Sequence, residues 1–295
     1  MTVIDLHMHS KWSLDGEYSS KEIINLCERA GLKTISITDH NSVEAIDECL
    51  YYAKKIGIKL IPGIEIDCFY KETNLHLLGY NIDYKSRLFH DLYRSLFEQE
   101  ALVSLERIKK INELGFYLTI EDFPRLKNNF IVTPEEIAEV LLNKNYAAKH
   151  ELLTPYLPGG HRSDNPYVNF YWDYFSKGKT CYVDMEFPSI EEALALVINN
   201  GGIPIIAHPG VTFRDNYEQI DEIIALGVQG IEAFSSYHNR KECKLFYNMA
   251  KENRLIITAG SDFHGKNKPS VKLGNTNYTF SDEELLKEMN SLLNY

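Results

Sequence analysis

The 295-residue chain reads as an α/β barrel of the TIM type, or one of its distorted relatives, with a helical subdomain inserted into it. Three observations predict this. Short apolar runs alternate with segments of helical periodicity, most of these runs end on His, Asp or Glu, and between about Leu88 and Val183 the alternation stops. An open doubly wound sheet is the competing arrangement. It is weaker because one crevice at its switch point would not readily gather groups from so many separate strands.

The first strand, Val3-Ile4-Asp5-Leu6-His7-Met8-His9, sends alternate side chains to one face, so His7 and His9 are placed to bind one cation together. A helix over Ser19 to Ala30 follows, and then the strand Thr34 to Thr38, which delivers Asp39 and His40. Ser42 to Ile56 is helical, Leu60 to Ile64 delivers Glu65, and Leu75 and Leu77 flank His76 in a short strand. Beyond the interruption, the helix Ile190 to Asn200 leads to the strand Ile203 to Ala207, which ends in His208. The helix Tyr217 to Leu226, the strand Gly230 to Phe234 and the helix Arg240 to Glu252 come next. Leu255 to Ser261 is the last strand and runs into Asp262-Phe263-His264. Ser20-Lys21-Glu22-Ile23 and Ser189-Ile190-Glu191-Glu192 resemble helix starts, while Gly31, Gly57 and Gly227 sit where helices should stop. Regular alternation of strand and helix predicts a parallel sheet.

A mixture of imidazoles and carboxylates, with no cysteine near any motif, suits Mn²⁺, Zn²⁺ or Fe²⁺ rather than a structural Cys₄ zinc. Two such ions sharing a carboxylate can acidify a water and clamp the oxygens of a phosphoryl group, so phosphate ester hydrolysis is the chemistry this set favours. A proton donor and further cations are then needed. His238, after the strand Gly230 to Phe234, is the candidate donor or phosphate contact, with a capping or surface role as its alternative. Arg214 and Arg240 follow two strand ends and are candidates for binding phosphate.

The motifs Asp5-Leu6-His7-Met8-His9-Ser10, Asp15-Gly16, Thr38-Asp39-His40, Pro62-Gly63-Ile64-Glu65, Ala207-His208-Pro209 and Gly260-Ser261-Asp262-Phe263-His264 together resemble the polymerase and histidinol phosphatase (PHP) family of metal-dependent phosphoesterases. The resemblance implies a distorted (β/α)7 barrel holding two to three divalent metals. It assigns His7, His9, Glu65 and Asp262 to one metal, Glu65, His76 and His208 to a second, and Asp15, His40 and His264 to a third, with Glu65 bridging. Many members read Ser-Asp-Gly where this chain reads Ser13-Leu14-Asp15-Gly16, and Asp15 beside Gly16 also fits a turn or a helix cap.

Residues 1–87 and 184–295 are expected to form the barrel, and 88–183 the insert. Within the insert, Leu92 to Leu114 reads as one long helix, Thr133-Pro134-Glu135-Glu136 starts another, and Asn165 to Lys177 is rich in aromatic residues. In the nucleotide and short-RNA branch of the family, which the chain most resembles, such an insert covers the barrel mouth and shapes the substrate site. Trp172, with Tyr167, Phe170 and Tyr171, is then a candidate to stack on a base, although the helical spacing also suits ordinary packing.

A net charge of −11 gives no basic footprint for long nucleic acid, which leaves small phosphorylated molecules such as a nucleotide or a short oligonucleotide. No apolar run reaches the ~18 residues of a membrane span, and no basic, apolar leader precedes the first strand. Five scattered cysteines without C-x-x-C spacing read as reduced thiols, so a cytoplasmic protein is expected. The expected activity is removal of phosphate from nucleoside 3′,5′-bisphosphates or trimming of short RNA from its 5′ end. A histidinol phosphate-type phosphomonoesterase, an amidohydrolase-type metallohydrolase and a non-catalytic PHP module are the alternatives.

Overall fold

The structure, a computed structural model, describes residues 3–123, 131–143, 150–214, 216–289 and 292. Seven strands lie side by side in sequence order: β1 (Ile4–Asp5), β2 (Thr34–Ile37), β3 (Lys59–Tyr70), β4 (Thr73–Tyr80), β5 (Ile203–Ile206), β6 (Gly230–Ser235) and β7 (Ile256–Gly260). The first and last are joined as well. Leu6 N–H donates to Ala259 O at 3.0 Å, Asp262 N–H to His7 O at 2.8 Å and His9 N–H to Phe263 O at 2.9 Å. These bonds close the sheet into a nearly complete barrel and exclude the open doubly wound alternative. β2, β5 and β6 are buried along their whole length, as strands covered on both faces must be.

The all-parallel sheet expected from the alternation needs correction. β3 runs on from Glu65 to Tyr70, turns at Lys71-Glu72 and pairs antiparallel with β4, which in turn pairs antiparallel with β5. The other strand pairs are parallel. Because the hairpin register sets Asp67 opposite His76 and Glu65 opposite Leu78, Glu65, Asp67 and His76 share one face.

Helices begin and end where local chemistry dictates. α1 (Ser20–Arg29) starts from Ser19 rather than Ser20, because the Ser19 hydroxyl takes the Glu22 N–H while the Glu22 carboxylate takes the Ser19 N–H, a reciprocal capping box. Ser189 and Glu192 repeat the device at α6 (Ile190–Asn199), and Asn239 with Glu242 at α7 (Arg240–Glu252). α2 (Ile46–Ile56) ends at Gly57, whose φ of 73° is left-handed.

Two compact units result. The first comprises Met1–Tyr93, Phe187–His264 and Val271–Tyr295, and contains the barrel. One of its buried clusters joins strand residues such as Ile64, Leu77, Ile205 and Ile231 to helix residues such as Val197 and Phe246, and another packs α1 and α2 on β2. The second unit comprises Arg94–Glu186 and, unforeseen from the sequence, Gly265–Ser270. It contains the end of α3 (Arg87–Asn112), then α4 (Pro134–Asn143) and α5 (Pro166–Tyr174), around a core of its own that includes Ile111, Phe116, Leu141, Leu153 and Phe170. No helix among the described residues is long and apolar enough to cross a membrane.

Candidate metal centre

Just beyond β1, His7 and His9 project from alternate positions with ring centroids 5.2 Å apart, and both reach the Glu65 carboxylate. Their Nε2 atoms lie 3.0 and 3.1 Å from Glu65 Oε2, and 3.3 and 3.1 Å from Asp262 Oδ1. The second Glu65 oxygen looks the other way: Oε1 is 2.9 Å from His76 Nδ1 and 3.1 Å from His208 Nε2. Around Asp15, His264 Nε2 lies 3.0 Å and His40 Nε2 3.8 Å from Oδ2, and the His264 ring stacks on that of His9 at 3.8 Å. All nine histidines and carboxylates singled out in the sequence therefore converge. They form overlapping groups of close ligand atoms: His7, His9, Glu65 and Asp262; Glu65, His76 and His208; and His9, Asp15, His40 and His264; His40 and His76 form a fourth with Asp67. The extra residue before Asp15 does not displace it, because Leu14 turns outward and is exposed.

The barrel imposes this arrangement. Glu65 is completely buried, and burial alone would raise its pKa, but the His7, His40 and His76 imidazoles reverse the effect and hold it well below the usual carboxylate range. His9 moves down, through burial first and then through His264 and His40 beside it, towards the neutral form that ligation requires. His9 Nε2 and His264 Nε2 are buried and form no hydrogen bond, although carboxylate oxygens stand 3.0 to 3.1 Å away. Convergent nitrogen and oxygen lone pairs of this kind, with no thiolate among them, fit borderline divalent cations. Asp262 and His208 occupy left-handed backbone, φ 59° and 24°, a strain that is most often held at working sites. Gly260 has no substitute at its position, since a Cβ there would lie 2.1 Å from His7 Cβ and 2.4 Å from Glu232 Oε1.

Three supporting residues were missed in the sequence. Glu232, fully buried in β6, takes His7 Nδ1 at 3.0 Å and the His208 N–H at 2.8 Å. A lone acid inside Gly-Ile-Glu-Ala-Phe was its available signal. The Tyr237 hydroxyl donates to Asp262 Oδ2 at 2.6 Å. Asp67 lies 3.0 Å from His40 Nδ1 and 3.2 Å from His76 Nε2, and its position two residues beyond Glu65 in one strand was the clue.

Other expectations need correction. His238 is not placed as a proton donor or phosphate contact. Buried to 1% exposure, it donates from Nδ1 to Ala233 O and accepts the Gly210 N–H at Nε2, so both nitrogens are committed to backbone and burial lowers its pKa. Phe170 is fully buried in the helical core and presents no face to a base, whereas Trp172 is 43% exposed. Arg240 is exposed at the start of α7 and lines a polar cavity of about 860 Å³ with His238, Asn275 and Asn277, which none of the nine converging residues lines. Arg214 is exposed.

A barrel whose strand ends carry interlocked histidines and carboxylates has the architecture of a metal-dependent hydrolase. Residues 5–154 match the PHP domain model, and the chain belongs to the PHP domain family, as its motifs implied. Over 264 residues it is 25% identical to a phosphoribosyl 1,2-cyclic phosphate 1,2-diphosphodiesterase of Eggerthella lenta, covering 89% of this chain and 94% of that protein. It is 29% identical over 263 residues to a 5′-3′ exoribonuclease of Haemophilus influenzae, covering 88% of this chain and 89% of the relative. It is 26% identical over 280 residues to a 3′,5′-nucleoside bisphosphate phosphatase of Chromobacterium violaceum, with coverage of 94% and 92%. A crystal structure from Bifidobacterium adolescentis, described as a candidate metal-dependent phosphoesterase, superposes with a TM-score of 0.72 at 25% identity, over 97% of this chain and 96% of that one.

Proposed function

We propose that the chain is a metal-dependent phosphoesterase that removes phosphate from a nucleotide, either a nucleoside 3′,5′-bisphosphate or the 5′ end of a short RNA. The observation that carries this reading is the division of Glu65, whose two oxygens face two different sets of histidines. His7, His9, Glu65 and Asp262 would hold one cation, Glu65, His76 and His208 a second, and Asp15, His40 and His264, with His9 beside them, a third. Two or three Mn²⁺, Zn²⁺ or Fe²⁺ ions would supply Lewis-acid stabilisation of the phosphoryl oxygens and an acidified water as nucleophile.

The chain's own residues set the geometry. Glu65 is kept ionised between the histidines, Glu232 and Ser13 each orient one imidazole of the His7-His9 pair, and the Tyr237 hydroxyl fixes Asp262. Arg214 and Trp172, both exposed, are assigned to phosphate and base contact. Names of the relatives support the substrate class, since all three act on small phosphorylated ribosyl compounds or RNA. Five free cysteines support a cytoplasmic location.

Protein reconstituted with Mn²⁺ or Zn²⁺ and desalted should retain at least two ions by elemental analysis. It should then be assayed side by side on adenosine 3′,5′-bisphosphate, 5′-phosphorylated short RNA, histidinol phosphate and an amide. Preferential turnover of the first two is expected. A metal content near zero, or preferential turnover of histidinol phosphate or the amide, would overturn the proposal.

A further inference from the structure

We infer that Asp67 is a positioning residue that orients two of the proposed metal-binding histidines at once and so couples the cation positions they serve. The inference rests on the metal-centre reading above and adds to it a residue outside the nine. His40 presents Nε2 towards Asp15 Oδ2, with its Nδ1 3.5 Å from Glu65 Oε2, and His76 presents Nδ1 towards Glu65 Oε1. Their other nitrogens, His40 Nδ1 and His76 Nε2, converge on one atom, Asp67 Oδ1, at 3.0 and 3.2 Å. An imidazole that binds a cation through one nitrogen is fixed in tautomer and tilt by what its other nitrogen meets, and a carboxylate there also strengthens the ring as a donor. Here a single carboxylate, which forms a close group with both rings, does this for His40 of the Asp15 group and for His76 of the group of Glu65 and His208.

The carboxylate is itself held. Asn41 Nδ2 donates to Asp67 Oδ2 at 2.7 Å and the Asp67 N–H returns to Asn41 Oδ1 at 3.0 Å, which leaves Oδ1 directed at the histidines. Oδ1 is buried, with the two imidazole nitrogens as its near neighbours. Asn41 holds a left-handed φ of 55°, a conformation asparagine tolerates better than most residues, and its N–H donates to Glu65 O at 2.7 Å. The clamp is thus anchored to the strand that carries Glu65. The hairpin register places Asp67 directly opposite His76, so the second ring is fixed by strand pairing.

The test compares full-length wild type, Asp67→Asn and Asn41→Ala, each stripped with chelator and reloaded with Mn²⁺, for stoichiometry at saturation and affinity by chelator competition. Saturating stoichiometry should be the same in all three. In Asp67→Asn two of the bound ions should be held about 10–100-fold more weakly, with a smaller loss in Asn41→Ala. Cobalt-substituted Asp67→Asn should also show a shifted visible absorption band, because the ligand rings change orientation.

Affinities equal to wild type would overturn the inference. So would the loss of one whole ion at saturation with the others unchanged, which would make Asp67 a ligand. Should Asp67→Asn fail to fold, Asn41→Ala decides alone, and unchanged affinities there overturn the coupling. A wild type that binds no divalent ion would instead overturn the metal-centre reading, and this inference with it.

Discussion

Replacing Glu65 with glutamine tests the centre at the residue on which its parts depend. The side chain keeps its shape and loses its charge, in a place where five imidazoles approach its two oxygens: His76 and His208 on Oε1, and His7, His9 and His40 on Oε2 at 3.0, 3.1 and 3.5 Å. A unit charge about 4 Å from a divalent cation, at an effective dielectric near 20, contributes about 8 kcal/mol before the site relaxes, so a loss of roughly three decades in affinity or more is expected. Because each oxygen faces a different ligand group, two cations should weaken together by about that factor. Turnover should fall by orders of magnitude with them. Chelator competition, followed by phosphatase assay at fixed free Mn²⁺, reads both quantities. Two ions retained within tenfold of the wild-type affinity, or near-normal turnover, would refute the bridging role.

Asp15→Asn, by contrast, touches only the group of His9, Asp15, His40 and His264, so at most one ion should weaken; loss of two would redraw the assignment. Trp172→Ala removes an exposed side chain, so it should leave stability within about 0.5 kcal/mol. It should raise KM for a nucleotide by tens of fold, since stacking contributes about 1–3 kcal/mol per base, while p-nitrophenyl phosphate turnover stays constant. Equal losses on both substrates would remove the stacking role. Asp5 bears on pH. Burial pushes its carboxyl up to about 6 against the pull of N–H bonds from Gly274, Ser261 and His7. A folded pKa above the unfolded one means that its stabilising contribution is complete below about pH 4 and is lost as pH rises through 6, a loss of about 3 kcal/mol. In metal-free protein, Asp5→Asn should therefore become progressively more stable relative to wild type between pH 4 and 7 in urea melts. A difference that does not change with pH would refute the assignment.

The centre was legible because its chemistry is tied to strand ends. His7, His9, Asp262 and His264 follow two apolar runs at two-residue spacing, and a strand converts that spacing into a shared face. The direction of β4 was not legible, since leucines on either side of His76 alternate identically in a parallel and an antiparallel strand. Asp67 escaped because the strand was expected to stop at Ile64, whereas pairing with β4 extends it to Tyr70. His238 was misjudged because the Gly210 N–H that occupies its Nε2 arrives from 28 residues away, a contact no local pattern encodes. Phe170 and Trp172 are two positions apart on one helix, and which of them faced the core depended on neighbours elsewhere in the chain.

The seam between β1 and β7 has a consequence for the order of events as the chain is made. Ser261 N–H bonds Asp5 across 256 positions, and Asp262 meets His7 across the same closure. The segment matched by the family model, residues 5–154, contains six of the nine converging side chains, but His208, Asp262 and His264 lie beyond it. A nascent chain exposing only its first half therefore carries incomplete ligand groups, with His7 and His9 awaiting β7, which is synthesised about 250 residues later. Completion of the ligand groups and ring closure therefore coincide, and long-range pairing of this kind is slow to form. Until the barrel closes, the proposed cation sites have only part of their donors, so the full ligand set exists only in the closed ring.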